Sequence, residues 1–343
     1  MATFGRLLES LKTGEDARNH RIEMLKRIES ITGAPTVLYA ANTRASNAPS
    51  GLTSLSRDDK TGFADLVDAT PGDRINIVLH SLGGSPDAAE QIVNLLRPRF
   101  DTVNFIIPNM AKSAATLLVL SGNRIYMDDR SELGPIDPQL GIPQSNGQTS
   151  FVPAQAIERG FQQAMDAIKA DRPALLAYSP MLQKLDVWLL ELCRTATAAG
   201  KELAERWLAQ YMLATRDDAA ELAKEIAERL ADSGRYKSHG RPIGIVEALE
   251  MGLAVDDTRE TPKLRDAIWG LYCNVELHME RMLAPAPCAK LFENASDVSI
   301  VRMMPMQLAV RRGDQSGAKP GPQPSPAPQG QQPNRAERRR SKK

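Results

Sequence analysis

The stretch NFIIPNMAKSAATLLVLSGNRIYMDDRSELGPIDPQ, residues 104 to 139, organises the rest of this chain, together with the glycine pair Gly83-Gly84. It is entered through a short apolar run, Val103, Phe105, Ile106 and Ile107, closed by Pro108. Asn109 to Thr116 follows, with Ser113 among small residues, and then an apolar helical segment, Leu117 to Leu120. A second short run, Arg124 to Met127, leads to Ser131-Glu132-Leu133-Gly134-Pro135-Ile136-Asp137-Pro138-Gln139. A serine between a buried strand and a helix sits on a rigid element beside unpaired helix N–H groups, where a nucleophile can work. The competing reading is that Ser113 only caps the helix.

Upstream, Arg74 to His80 is the clearest strand, nearly all apolar, as a parallel strand covered on both faces should be. It runs into His80-Ser81-Leu82-Gly83-Gly84-Ser85-Pro86-Asp87, and a helix begins at Pro86. Strand, glycine pair, helix, strand, serine, helix, strand is a βαβα series, so the chain is read as α/β with a parallel sheet and right-handed crossovers. Sites in such sheets form at the carboxyl ends of the strands. Gly83-Gly84 and Ser113 both follow strands and share that rim. Adjacent glycines can turn N–H groups toward a ligand, and with the N–H of Ala114 they could form an oxyanion hole; alone, they are also an ordinary strand-to-helix turn.

The motifs Leu79 to Ser85, Pro108 to Thr116 and Leu133 to Gln139, in that order, resemble the serine dehydrogenase proteinase family. That family lies in the Clp protease/crotonase superfamily and is related to signal-peptide peptidase A. The resemblance runs from about Pro35 to Val255, because Ser238-His239-Gly240-Arg241-Pro242-Ile243, Glu247-Ala248 and Gly252-Leu253 also fit. It implies a ββα superhelix and a serine peptidase or related hydrolase acting on polypeptides without a cofactor. Ser113 would be the nucleophile, with an oxyanion hole from Gly83 or Gly84 and Ala114. Assembly into rings or layered homo-oligomers is implied too. The sequence departs from Clp-type proteases where they supply a histidine: the segment Leu133 to Gln139 offers Asp137 instead. Signal-peptide peptidase A uses a lysine on a downstream helix, and Lys169, in the helix 153–170, best resembles it. Such a base must be buried enough to be neutral near pH 7.

Each of these residues also has a plainer reading. Lys169 is followed by Ala170-Asp171-Arg172 and fits a solvated helix end. Lys112 adjoins the serine, but neighbours on a turn or helix point apart. Asp137 could orient a base, bind substrate or hold its own turn. His239 could fold back onto the rim or sit in a loop. Two other functions stay open: an acyl-CoA-type enzyme on the same fold, and a non-catalytic assembly protein.

The remaining sequence frames this core. With 343 residues, 42% hydrophobic and 25% charged, the chain can bury a sizeable core. Cys193, Cys273 and Cys288 are widely spaced, without metal-ligand spacing, and point to a reducing compartment. No run reaches the roughly 18 apolar residues of a membrane span, and the expected location is cytoplasmic. Residues 1–31 read as an amphipathic helical lead-in, 32–172 as the catalytic core and 173–312 as a mainly helical part. The stripes Leu185, Trp188, Leu189, Leu192 and Ala219, Leu222, Ala223, Ile226, Leu230 are core or subunit interface. Residues 313–343 turn to Pro, Gln, Gly and Ser and are expected to be disordered. Seven basic and two acidic residues give this tail +5, which leaves −4 for the rest of a chain of net charge +1. The basic end, Arg335 to Lys343, is expected to be dispensable for catalysis and at most to touch anionic partners.

Overall fold

The computed structural model describes residues 3–45, 51–143, 149–183, 185–281 and 287–304. The tail 313–343 lies outside these residues, and so does its expected disorder. The lead-in is two helices, α1 (Thr3–Ser10) and α2 (Gly14–Thr32). Thr13 starts α2 through a reciprocal capping box with Asp16, and Gly33, at φ 70°, ends it in the left-handed conformation.

The core then alternates as its apolar runs require: β1 (Thr36–Ala41), α3 (Asp59–Ala69), β2 (Arg74–His80), α4 (Pro86–Leu96) and β3 (Thr102–Ile106). Ser85 accepts the Ala88 N–H and Pro86 opens α4, so the helix begins where the serine-proline pair said it should. Next come β4 (Met110–Ala111), α5 (Ala114–Val119), β5 (Arg124–Met127), β6 (Glu132–Leu133) and the hairpin β7 (Gln139–Pro143) and β8 (Thr149–Pro153). Helices α6 (Ala154–Ala170), α7 (Ala174–Leu182), α8 (Val187–Trp207), α9 (Ala219–Ala231), α10 (Ser233–Tyr236) and α11 (Ile245–Glu250) follow. The described chain closes with β9 (Val255–Asp257), α12 (Pro262–Arg281), β10 (Cys288–Asn294) and β11 (Ser299–Met303).

Seven strands form the main sheet in the order β11-β10-β1-β2-β3-β5-β9. From β1 to β9 every pairing is parallel; β10 and β11 are antiparallel. Side chains alternate across the sheet as the two-residue period demands. Val37, Tyr39, Ile77, Leu79 and Phe105 join the core under α3, α4 and α5, while Leu38, Ala40, Val78 and Ile106 pack against α2 and α12. The buried Arg21 guanidinium holds Glu293 by two bonds, 2.6 and 2.7 Å, fastening α2 to β10. Within 173–312 the described residues hold the helices α7 to α12 and also the strands β9, β10 and β11, which the mainly helical reading did not include.

Beside the main sheet runs a second layer of very short strands. Ser81 pairs in parallel with Ala111, Ala111 with Leu133, and Leu133 antiparallel with Ile243. Each unit is thus a main-sheet strand, a short strand and, in the first two, a helix, which is the expected ββα superhelix.

The buried histidines set an acid limit on this fold. His80, at the end of β2, is 1% exposed, and among the described residues its Nδ1 has no partner, nor does either ring nitrogen of His278 in α12. Burial pulls each down to about 4, helped by Arg44 at His80 and by Arg21 at His278. Glu276 lies 3.6 Å from His80 but is committed to Arg44 at 2.6 Å. Because the folded values are lowered, the unfolded chain binds more protons between about pH 6.5 and 4, and stability falls as pH falls through that window. His80 alone should cost about 3 kcal/mol at pH 4. Thermal melts from pH 7 to 4 should show a steep drop in midpoint, shallower in His80→Asn; parallel curves for the two proteins would refute this.

Candidate active site

Three turns leave the short-strand layer at one end. Two residues beyond Ser81 lies Gly83, two beyond Ala111 lies Ser113, and four beyond Leu133 lies Asp137. The parallel pairings of these strands put the three turns in step, so the three sequence motifs are successive turns of one superhelix.

Ser113 has φ 51° and ψ −123°, a strained conformation for a residue with a side chain. It stands at the start of α5, yet its hydroxyl makes no capping bond and has no hydrogen-bond partner among the described residues. The turn is held by its neighbours instead. The Lys112 ammonium is buried against the Leu133 carbonyl at 3.0 Å and the Glu132 carboxylate at 2.7 Å. Thr116 donates its hydroxyl to the Ala111 carbonyl at 2.6 Å and accepts the Gly134 N–H at 3.0 Å. A Cβ on Gly134 would come 2.8 Å from Lys112 Cδ, so glycine is needed for the close approach. Lys112 is therefore a buried anchor of the turn.

Gly83 lies against the serine, and Gly84 against Leu55. A Cβ on Gly83 would meet the Lys112 carbonyl oxygen at 2.4 Å, Ser113 Cβ at 2.7 Å and the Ala114 nitrogen at 3.0 Å. The Gly83 N–H donates to Ser81 Oγ at 3.0 Å, so it is already engaged. The N–H groups of Gly84 and Ala114 have no partner among the described residues. Of the three expected oxyanion donors, these two remain available.

Leu55, just ahead of α3, holds the pair in place. Leu55 donates its N–H to the Gly83 carbonyl at 2.7 Å and accepts from the Ser85 N–H at 2.9 Å. The residues flanking Leu55 are tied down by Lys290 of β10, whose ammonium binds the Gly51 carbonyl, Ser56 Oγ and both oxygens of Asp59 at 2.8 and 2.9 Å. Tyr39 also donates to Asp59, at 3.0 Å. Lys290 and Asp59 are 1% and 0% exposed. Burial lowers Lys290 below the usual lysine range against the pull of Asp59, and burial beside Asp59 raises Tyr39 well above the usual tyrosine range. No local pattern announces such a pair, since 231 residues separate its members.

Asp137 and His239 meet. Asp137 is 1% exposed, and its Oδ1 lies 2.7 Å from His239 Nδ1. Its Oδ2 accepts from Gln139 Nε2 at 2.7 Å. The antiparallel bridge between Leu133 and Ile243 explains the meeting, because each residue lies four positions out from it. Among the described residues this is the one histidine within hydrogen-bonding distance of a carboxylate.

Lys169 must be corrected. It lies in the last turn of α6, its side chain is 70% exposed, and its nearest carboxylate is Asp166, one helical turn back at 3.9 Å. The burial that a neutral base requires is lacking.

Residues 55–164, which hold the glycine pair, Ser113 and Asp137, match the family model described as ClpP-like SDH-type serine proteinase. Two curated relatives come from Methanocaldococcus jannaschii. The uncharacterised protein MJ0137 is 31% identical over 200 residues, covering 58% of this chain and 59% of its own length. The uncharacterised protein MJ1495 is 28% identical, covering 58% of each. The chain thus spans about three fifths of the length of these relatives. Among solved structures, a substrate-peptide complex of the 1510-N membrane-bound stomatin-specific protease aligns with TM-score 0.37 and 17% identity, covering 62% of this chain and 74% of that one. ClpP1 of Listeria monocytogenes aligns with TM-score 0.33 and 13% identity, covering 70% and 98%. No helix among the described residues is long and apolar enough to cross a membrane.

Proposed function

We propose, taking the match of residues 55–164 to the ClpP-like SDH-type serine proteinases as the premise, that this chain hydrolyses peptide bonds through Ser113. The observation that carries the reading is a serine hydroxyl without a partner among the described residues, on a strained turn packed against Gly83, with the adjoining amides of Gly84 and Ala114 likewise unpartnered there. In the proposed reaction Ser113 Oγ attacks the peptide carbonyl carbon, and the carbonyl oxygen takes the displaced electron pair. The N–H groups of Gly84 and Ala114 receive that oxyanion. The serine proton passes to Nε2 of His239, whose Nδ1 is oriented by Asp137. Collapse of the intermediate returns the proton to the leaving amine, and water then hydrolyses the acyl-enzyme. The register of the short strands and the buried Asp137–His239 bond favour this base over Lys169.

A fluorophosphonate probe is the direct test, because only an activated serine reacts. Labelling should map to Ser113, fall at least a hundredfold in His239→Gln and be unchanged in Lys169→Ala. An unlabelled wild-type protein would end the peptidase reading in favour of an assembly role or thioester chemistry. A loss confined to Lys169→Ala would restore the lysine base. Self-association is the second part of the proposal. It is supported by the apolar surface of α7 and α8, where Leu176, Trp188 and Leu192 are 83%, 64% and 45% exposed.

A further inference from the structure

The Asp137–His239 pair forms one wall of a cavity of about 270 Å³, and the charge around that cavity is one-sided. Its other walls come from the first two turns of α6 and from the segment Ser233 to Ser238, including Ala156, Arg159, Ser233 and Lys237. The Arg159 guanidinium donates to Ser233 Oγ at 3.1 Å and to Gln155 Oε1 at 3.5 Å. It pairs with no carboxylate among the described residues, and neither does Lys237. Lys237 has φ 60°, a left-handed conformation that ends α10 and that few lysines adopt. Asp137, the one carboxylate in the wall, is occupied by His239 and Gln139. Asp232, beside the cavity, is turned to the Gly234 and Arg235 N–H groups, which it caps. The N-terminus of α6, a helix of 17 residues with no acidic residue in its first turn, adds a positive end to the same walls.

Two cations without acidic partners, beside the groups assigned to proton transfer, are an arrangement for an anionic group of the substrate. We infer that this cavity is a specificity pocket for an acidic side chain, aspartate or glutamate, of a polypeptide substrate, recognised by Arg159 and Lys237. The inference rests on the peptidase reading for its place in catalysis but not for its binding chemistry. Both cations are exposed, so their attraction is modest and screened by salt. A preference of about tenfold for glutamate over glutamine is the expected size for the two together.

The test uses the full chain carrying Ser113→Ala and fluorescent peptides amidated at the C-terminus, with Glu, Gln or Lys scanned through each position. Anisotropy should find one position where Glu binds about tenfold tighter than Gln, with the advantage shrinking as salt rises. Arg159→Gln with Lys237→Gln should erase that advantage, and Arg159→Glu with Lys237→Glu should turn it toward Lys. The exposed side chains leave the fold intact, and a thermal melt of each variant verifies this. Absence of any Glu preference, or a preference indifferent to both pairs of substitutions, overturns the inference. Probe labelling separates the two readings. Labelling of Ser113 without acidic preference removes only the pocket, whereas acidic preference without labelling keeps the pocket and removes the peptidase.

Discussion

Replacing Ser113 by glycine is expected to abolish peptide turnover and at the same time raise the thermal midpoint. The two effects have one cause. A residue at φ 51° and ψ −123° carries on the order of 1–3 kcal/mol of backbone strain that glycine does not. Glycine gives back roughly 0.5–1 kcal/mol through the freedom it adds to the unfolded chain. The net gain should be about 1 kcal/mol, or roughly 2 °C for a folded body of this size. Ser113→Ala keeps the strain and loses only the hydroxyl, so its midpoint should match the wild type while turnover vanishes. A capping serine would behave otherwise: both variants would lose stability and keep turnover. Turnover near the wild-type rate in either variant would remove Ser113 from the chemistry.

Gly83→Ala should be among the most damaging single substitutions in the core. The new Cβ would lie 2.4 Å from the Lys112 carbonyl oxygen and 3.0 Å from the Ala114 nitrogen, both backbone atoms with little room to move. It would also sit at φ 93°, where alanine is strained. Gly72→Ala supplies the control, since Gly72 has φ 79° but no atom within 4 Å of the added carbon. The control should lose about 1 kcal/mol from backbone strain alone. Gly83→Ala should lose about 3 kcal/mol or more and cut turnover at least a hundredfold, because relief of the clash must displace Ser113 or the amide of Ala114. If the two variants melt together and Gly83→Ala still turns over substrate, the glycine and the serine are not in the contact described.

Much of this site was legible because its parts are local. The apolar runs at Ile75 to Leu79 and Val103 to Ile107 are buried parallel strands, and Ser85-Pro86-Asp87 is a helix start by its own chemistry. A glycine pair or a serine after such a strand lands on the rim whatever the rest of the chain does. The pair proposed to accept the proton is not legible in the same way. Asp137 and His239 are 102 residues apart, and only the pairing of Leu133 with Ile243 brings them together. Lys169 is singled out by its resemblance to the downstream-helix lysine of signal-peptide peptidase A, and such a resemblance does not reveal whether solvent reaches the side chain. β10 was missed because Lys290 and Glu293 interrupt its apolar pattern. Both are buried by partners far away in sequence, Asp59 and Arg21. Hydrophobic periodicity cannot anticipate a strand whose polar residues are matched over such distances.

On the ribosome, β1 must wait for β10. Its six residues are all buried in the finished sheet, with β2 on one side and β10 on the other. About 250 residues separate Thr36 from Cys288. At roughly 5–20 residues per second, β1 emerges with one edge open for on the order of ten seconds or more. An apolar strand with unpaired N–H and C=O groups is a template for other nascent chains. Synthesis that stalls between α12 and β10 therefore leaves β1 adhesive along one edge and the Ser113 side without Lys290 and Phe292, and such products should be prime clients for chaperones that shield strand edges.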